Sequence, residues 1–311
     1  MKAMMSFDQS FFLPGDCQDP AYRNVRDNPN NKLYLREAKA FVESLWIRYR
    51  DLKDSKNLYL KDPHCRTSAL NGFLSRFWEM YLAVTLHDHG FKLERYGNKG
   101  PEFYFWHNNR KVWVEAVAPG PGINENRVPG CSNSILKDVP EEKILLRFTN
   151  ALDEKRKKYS EALQKKIIEP DHLYILAINS RGIPSGWDGD KVPFFVKAFL
   201  PLGIPECQLN LDTGKITEIS YQPREYIEKA SGKAIATTAG LDPAFSFVSV
   251  VLHSGVDCVN RTDQLGEDFS ILHWPVTLPS HRLDPSVFSW CEQMFFQDCE
   301  LTRLHKKETR R

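Results

Sequence analysis

Residues 99–122 read KGPEFYFWHNNRKVWVEAVAPGPG, and this stretch decides how the chain is interpreted. Two runs of aromatic and β-branched residues, 102–106 and 111–117, flank a His-Asn-Asn-Arg turn, which is typical of a β-hairpin. Each run contains one acid, Glu102 in the first and Glu115 in the second. Because an unpaired carboxylate is costly to bury, both acids require a partner.

The hairpin predicts that the two acids lie side by side. In an antiparallel pair joined by a short turn, the start of the first strand lies beside the end of the second. Glu102 opens the first strand, and Glu115 lies near the end of the second. Two carboxylates this close repel each other unless a cation lies between them, and their oxygens suit Mg²⁺ or Mn²⁺. The alternative is that each acid pairs with a surface lysine or arginine.

The periodicity of apolar residues around the hairpin predicts the element order α-β-β-β-α-β over residues 70–180. The predicted helices span 33–52, 70–87 and 141–168, and the predicted strands span 91–96, 102–106, 111–117 and 173–179.

The remainder of the chain is predicted to extend this core. Residues 1–30 are expected to form an irregular arm, and 118–130 a loop rich in glycine and proline. We expect three segments: 1–69 as an arm and helix packed on the core, 70–180 as the core, and 181–311 as a C-terminal extension that completes the same domain. Within the extension we expect a hairpin over 207–221, strands over 245–253 and 269–273, and a last helix over 287–296.

Composition sets limits on the class of protein. Hydrophobic residues make up 41% of the 311 residues, and the net charge is +2. No apolar run is long enough for a membrane span and no signal peptide is evident, so we expect no membrane partner. The seven cysteines include no C-x-x-C pair, which favours a reducing compartment, and we expect a cytoplasmic protein. Positive charge is concentrated only locally, at 155–158, 165–166 and 303–311.

Glu79 occupies an unusual position on the predicted helix 70–87. It projects away from the broad apolar face of that helix, into a face of small residues that also carries Arg76. This pattern indicates a helix packed on two sides, with its acid directed at a site. A surface pair between Arg76 and Glu79 is the alternative.

Lys155 lies within the apolar stripe of the predicted helix 141–168. A lysine in such a stripe either extends to the rim of the core or meets a buried anion. The stripe is formed by Ile144, Phe148, Ala151, Leu152, Tyr159 and Ala162.

This arrangement resembles the PD-(D/E)xK phosphodiesterase superfamily, which has the restriction-endonuclease-like fold. That fold has the same αβββαβ core, a helix acid, a Pro-Asp or Pro-Glu at the second strand and a Glu-x-Lys on the third. Here Glu79 matches the helix acid, Pro101-Glu102 the first motif, and Glu115-Ala116-Val117 the second. The resemblance covers residues 70–180 and implies an α/β protein whose mixed central sheet is flanked by helices.

The chain departs from the family pattern at Val117, which stands where the lysine belongs. Some members of the superfamily carry that lysine on the following helix, and by this resemblance Lys155 is the displaced lysine, with Lys158 as the second choice. Lys111 lies about 13 Å from Glu115 along the strand, too far to replace it. We therefore expect the Lys155 ammonium within about 8 Å of the two carboxylates.

The resemblance implies metal-dependent hydrolysis of phosphodiester bonds, as in a nuclease. Mg²⁺ (or Mn²⁺) would be held by Glu102, Glu115 and the Ala116 carbonyl, and Glu79 would contribute directly or through water. Lys155 would supply a second positive charge. The partner would be DNA or RNA, and candidate phosphate contacts are Arg76, Arg147, Lys157, Lys158 and Lys166.

The alternative is a catalytically degenerate protein of the same fold that acts as a binding or effector module. The lost motif lysine and the small net charge favour this alternative. Other hydrolase classes lack support, because the sequence contains no G-x-S-x-G, H-E-x-x-H or G-x-x-x-x-G-K-[ST] motif.

Overall fold

The structure, a computed structural model, describes residues 10–28, 30, 32–56, 60, 64–96, 100–130, 139–187 and 192–304. Part of the N-terminal arm and most of the basic tail lie outside these ranges. The α-helices of the described residues are α1 (Pro20–Asp27), α2 (Leu33–Asp51), α3 (Cys65–Ala69), α4 (Phe73–Asp88), α5 (Glu141–Gln164) and α6 (Phe194–Phe199).

The strands of the described residues form one large sheet and two separate hairpins. The strands are β1 (Phe103–His107), β2 (Arg110–Val117), β3 (Leu173–Asn179), β4 (Leu202–Asn210), β5 (Lys215–Pro223), β6 (Tyr226–Glu228), β7 (Ala234–Ala236), β8 (Val250–Ser254), β9 (Ser270–His273), β10 (Glu292–Gln297) and β11 (Glu300–Leu304).

The large sheet is mixed and has the strand order β1-β2-β3-β8-β9-β10-β11. Strands β2, β3 and β8 run parallel, whereas the pairs β1–β2, β8–β9 and β10–β11 are antiparallel and β9–β10 is parallel. Helix α5 makes the crossover between β2 and β3, the usual connection between adjacent parallel strands. The sheet therefore joins strands from residues 70–180 to strands from residues 181–311.

Helices cover both faces of the central strands. On one face, α2 and α4 pack against alternate residues of the sheet such as Val114, Ile175 and Leu252. On the other face, α5 and α6 pack against the residues that point the opposite way, such as Leu176 and Val251. Burial on both faces explains why β3 reads as a continuous apolar run. The chain is an α/β protein with a seven-stranded mixed sheet flanked by helices.

Several predicted elements are confirmed at or near their expected bounds. The helix predicted over 33–52 is α2, and the strand predicted over 173–179 is β3. The hairpin predicted over 207–221 is formed by β4 and β5. The helix predicted over 70–87 is α4, which begins three residues later, after the short helix α3.

The strand predicted over 91–96 is not formed. A single antiparallel bridge joins Glu94 to Tyr104 in its place. The charged side chains of this segment have local partners that compete with regular pairing: Arg95 donates to the Leu60 carbonyl, and Glu94 accepts from the Tyr104 hydroxyl. The described core order is therefore α-β-β-α-β, with a bridge where the first strand was expected.

The helix predicted over 287–296 is also wrong. A short 3₁₀ turn at Pro285–Phe288 is followed by β10, in which Gln293 pairs with Ile271 of β9. The segment pairs in parallel with β9 at the edge of the sheet, and this tertiary pairing overrides the local helix propensity. The prediction for α5 was too long, because the helix ends at Gln164 and Lys166 adopts a positive φ of 54°.

Among the described residues, no helix has both the length and the apolarity that crossing a membrane requires.

Candidate functional site

The register of the first hairpin places Glu102 and Glu115 together. Phe103 pairs with Val114, so Glu102, which immediately precedes β1, lies beside Glu115. The Ala116 backbone N–H donates a 2.7 Å hydrogen bond to Oε2 of Glu102. This bond ties the start of β1 to the end of β2 and holds the Glu102 carboxylate at the edge of the sheet.

Lys155 reaches this edge from α5. Its ammonium donates to Oε1 of Glu115 and, at 3.1 Å, to the Ala116 carbonyl oxygen. Only 7% of Lys155 and 4% of Glu115 is exposed, so the two form a buried ion pair. Of the two outcomes expected for a lysine in the apolar stripe, the structure shows contact with a buried anion. The contact places Lys155 well within the expected reach of Glu115.

One ammonium faces two carboxylates here. Burial raises the pKa of Glu102 to about 7, and the neighbouring charge of Glu115 adds to this effect, although Lys155 and the Ala116 N–H oppose it. Burial lowers the pKa of Lys155, but attraction to Glu115 and Glu102 outweighs it and leaves the pKa above its usual value. The cluster therefore carries one acid more than its lysine neutralises, and an additional cation or proton compensates that charge.

A cavity of about 260 Å³ opens beside the acid pair, between the sheet edge and the second half of α5. It is smaller than most ligand pockets but can hold a phosphate-sized group. Carboxylates, lysines and apolar residues share the lining, which comprises Gly100, Pro101, Glu102, Glu115, Lys158, Tyr159, Glu161, Ala162, Lys165, Ile167, Ile168 and Tyr174.

Glu79 is buried on α4 and is held by three donors. Its carboxylate accepts 2.6 Å hydrogen bonds from the Tyr49 hydroxyl and from Arg76, and Arg95 lies 3.5 Å away. Burial raises the pKa of Glu79 despite these partners, and the charge of Glu102 raises it further. Glu79 therefore acts electrostatically on Glu102, but it does not line the cavity.

Arg76 and Glu79 form the ion pair that was the alternative for this helix, but the acid is buried, so it is not a surface pair. Arg76 is directed at Glu79 and does not line the cavity beside Glu102. Helix α4 is thus packed on two sides, as its face of small residues indicated.

The other predicted phosphate contacts differ in position. Lys158 is exposed and lines the cavity. Arg147 instead donates to the Gly120 carbonyl at 2.8 Å and packs under the loop that follows β2. Lys157 pairs with Asp153 at 3.1 Å on the outer face of α5. Lys166 is exposed beyond the end of α5 and is not among the cavity residues.

Several residues around the site were not identified from the sequence. Lys165 and Tyr174 line the cavity, and Tyr49 and Arg95 bind Glu79. Tyr49 belongs to the apolar stripe of α2, and the spacing of that stripe gave no indication that the Tyr49 hydroxyl meets an acid. Arg95 reaches Glu79 from the segment that follows α4, and Lys165 and Tyr174 reach the cavity through the crossover of α5; both placements are tertiary features.

A second cluster of acids lies before β3. Ligand atoms of Glu169, Asp171 and His172 lie within 4.8 Å of one another. Nδ1 of His172 already receives hydrogen bonds from the Trp113 indole and the Glu169 N–H, both at 3.0 Å. Both acids are exposed. Nε2 of His172 faces Glu169 at 4.0 Å, in a turn whose two acids are solvated.

No family model, no curated protein and no solved structure matches this chain, so the geometry of the acid pair and its lysine is the basis for any statement about function.

Proposed function

We propose that the chain is a divergent member of the PD-(D/E)xK superfamily with the restriction-endonuclease-like fold, and that it hydrolyses phosphodiester bonds of nucleic acid. The observation that carries this proposal is the buried contact of Lys155 with Glu115 and the Ala116 carbonyl, beside Glu102. A lysine from the following helix thus occupies the neighbourhood in which a motif lysine at position 117 would act.

The donor set fits a divalent cation. Glu102, Glu115 and the Ala116 carbonyl supply the oxygen ligands that Mg²⁺ or Mn²⁺ prefers, and the unbalanced acid provides charge for it. When bound, such a cation lowers the pKa of a water molecule and stabilises negative charge on phosphate. The charge of Glu79 interacts with that of Glu102 and so adds negative potential at the site, but Glu79 is not a direct ligand.

The protein's own side chains supply the other groups that phosphodiester hydrolysis requires. Lys155 holds the Glu115 carboxylate in place and contributes positive charge where negative charge develops on a phosphate. Lys158 and Lys165, at the mouth of the cavity, hold the phosphate that enters it. Tyr159, stacked on Phe247 with ring centroids 4.0 Å apart, forms a rigid wall of the cavity.

A binding or effector module without cleavage is the second candidate function, and one observation favours it. The Lys155 ammonium already neutralises Glu115 and occupies the Ala116 carbonyl, which satisfies two of the three proposed metal ligands without a metal. A protein that had lost catalysis could retain this pair as a structural link between α5 and β2.

The deciding experiment combines cleavage and metal binding. Wild type, Glu115→Gln and Lys155→Met are incubated with a mixture of single- and double-stranded DNA and RNA in Mg²⁺ or Mn²⁺, and Mn²⁺ binding is measured by electron paramagnetic resonance. We expect cleavage by the wild type, a loss of about a hundredfold or more in both variants, and weaker Mn²⁺ binding in Glu115→Gln.

Glu142→Gln is the matched control, because Glu142 is an exposed acid of α5 that is not among the cavity residues. Its rate should equal that of the wild type. If the wild type neither cleaves any substrate nor binds Mn²⁺, the hydrolase proposal fails and the binding module is favoured.

A further inference from the structure

The face of the β1–β2 hairpin that carries the acid pair also carries a row of aromatic side chains. Tyr104 pairs across the hairpin with Trp113, and Trp106 pairs with Lys111. Because side chains alternate along strands, these residues lie on the same face as Glu115. Lys111 is four residues from Glu115, so the row extends about 13 Å from the acid pair at about 3.3 Å per residue.

The outer part of this row is exposed. Trp106 is 56% exposed and Tyr96 is 46% exposed, whereas Trp113 beneath them is fully buried. Tyr96 makes an edge contact with Trp113, with 6.1 Å between ring centroids, and Tyr104 packs on Trp113 at 4.9 Å. Trp106 makes an edge contact with Tyr104 at 6.5 Å, so each of the two exposed rings packs on a buried one.

A cation lies among these rings. The Lys111 ammonium is 4.8 Å from the ring centroid of Tyr104, 5.5 Å from that of Trp106 and 5.4 Å from that of Trp113. Among the described residues no carboxylate lies within ion-pair distance of this ammonium. Its charge is thus available to an anionic ligand that also contacts the exposed rings.

Exposed aromatic rings beside an unpaired cation are the combination by which proteins bind single-stranded nucleic acid. Every base has a flat face that stacks on an aromatic side chain, and the cation attracts the backbone. Bases in a duplex are stacked on one another and cannot reach such rings.

We infer that Trp106, Tyr96 and Lys111 form a base-stacking surface that binds single-stranded nucleic acid and leads its backbone to the cavity beside Glu102 and Glu115. This inference rests on the proposed function for the role of the cavity, and it names the substrate class of that same site. Lys111, too far from Glu115 to replace the motif lysine, is placed to bind the strand on its way to the site.

The test measures binding separately from cleavage. Fluorescein-labelled twelve-nucleotide single strands of DNA and of RNA, and the corresponding DNA duplex, are titrated with the full chain in EDTA, and fluorescence anisotropy is recorded. We expect the single strands to bind more tightly than the duplex. Trp106→Ala should weaken single-strand binding roughly five- to a hundredfold, and Trp106→Phe by much less, because stacking on a phenyl ring remains.

Trp187→Ala is the matched control. Trp187 is also exposed, at 37%, but it stacks on Arg181 after β3, away from the hairpin. This variant should bind as the wild type does. A difference between the DNA and RNA single strands in the wild type identifies which sugar the surface accepts. Preferential binding of the duplex, or equal binding by Trp106→Ala and wild type, overturns the inference.

A small substrate separates this inference from the proposed function. Bis(4-nitrophenyl) phosphate in Mn²⁺ can enter the cavity but is too short to reach Trp106. Hydrolysis should be unchanged in Trp106→Ala and lost in Glu115→Gln. If the wild type fails to hydrolyse it while Trp106→Ala still impairs single-strand binding, the proposed function fails and the stacking surface stands as a binding site.

Discussion

Lys155 and Glu115 form an ion pair with almost no access to water. Removing two charges from water is costly. The attraction between them compensates this cost only because the two groups are in direct contact and the ammonium also donates a hydrogen bond to the Ala116 carbonyl. A buried pair of this kind is weak evidence for added stability, since a well-packed apolar pair often serves as well. Its position beside a second acid and a cavity is what gives it functional meaning.

The ion pair should show strong coupling in a mutant cycle. Lys155→Met leaves the Glu115 carboxylate buried without its cation, so we expect the free energy of unfolding to fall by about 3–5 kcal/mol in urea denaturation at neutral pH. Lys155→Met combined with Glu115→Gln should recover most of that loss, because no isolated charge remains.

The control for this cycle is Lys157→Met, two residues away on α5. The Lys157 side chain is 65% exposed and pairs with Asp153 at the surface, so its replacement should cost no more than about 1 kcal/mol. Equal losses from Lys155→Met and Lys157→Met would contradict the burial of the Lys155 pair.

The Glu102 carboxyl should make stability depend on pH in a defined direction. Its pKa of about 7 in the folded protein lies above the ordinary value of 4.5, so between these values the folded state binds more protons than the unfolded state. Stability therefore falls as pH rises through this window. In EDTA, Glu102→Gln should match the wild type near pH 5 and be more stable by about 2 kcal/mol near pH 8.

Thermal and urea unfolding at several pH values check this expectation. Glu161→Gln is a suitable control, since Glu161 is exposed and the same substitution there removes a charge without changing a buried group. Parallel pH curves for wild type and Glu102→Gln would show that the acid pair titrates normally.

At the scale of elements, the loops that follow β2 and β3 pack directly against each other. A Cβ atom built at Gly182 would lie 2.6 Å from the Pro119 carbonyl oxygen and 3.1 Å from Leu74. The absence of a side chain at Gly182 is therefore what allows the loop after β2 to close over the end of the sheet. Arg147 holds the same loop through the Gly120 carbonyl.

Gly182→Ala should destabilise the protein because a backbone atom, rather than a flexible side chain, must move. We expect a loss of about 1–3 kcal/mol, the usual cost of forced overpacking, measured by thermal unfolding. Gly120→Ala is the control in the adjoining loop, where a Cβ atom meets nothing within 4 Å. A similar change in both variants would contradict the role assigned to the Gly182 contact.

At the scale of the whole molecule, the second half of the chain serves two different purposes. Strands β8 to β11 complete the central sheet and bury residues such as Leu252. The hairpin of β4 and β5 instead projects from the fold and exposes aliphatic residues such as Leu211, which is 89% exposed. A two-stranded hairpin of this kind contributes little to global stability.

Shortening this hairpin should therefore leave the fold intact. Replacing residues 206–220 by Asn-Gly keeps the pairing of Pro205 with Tyr221 and should change the unfolding free energy by less than about 1 kcal/mol, or about 2–4 °C in Tm. Leu252→Ala in β8 should cost about 2–5 kcal/mol, because it opens a cavity in the core. The opposite ranking would show that the hairpin is part of the cooperative unit.

The contrast between β3 and β10 shows how far local pattern could predict the fold. Residues 173–179 are apolar at every position except Asn179 and bounded by turns, so the strand is evident without any knowledge of its neighbours. Residues 292–297 contain only three apolar residues, Met294, Phe295 and Phe296, and pairing with the edge of β9 decides that they form a strand rather than a helix. Local propensity alone is too weak to determine the secondary structure of such a segment.

The sequence by itself determined the hairpin of residues 103–117, the adjacency of Glu102 and Glu115, and the inward face of Lys155. Each follows from a short-range period, either of a strand or of a helix. Only the tertiary structure decided that Lys155 meets Glu115, that Tyr49 and Arg95 hold Glu79, and that the Lys111 ammonium lies beside the rings of Tyr104 and Trp106. These contacts join segments far apart in the chain or across a turn, and their distances depend on how helices pack against a sheet, which no local pattern specifies.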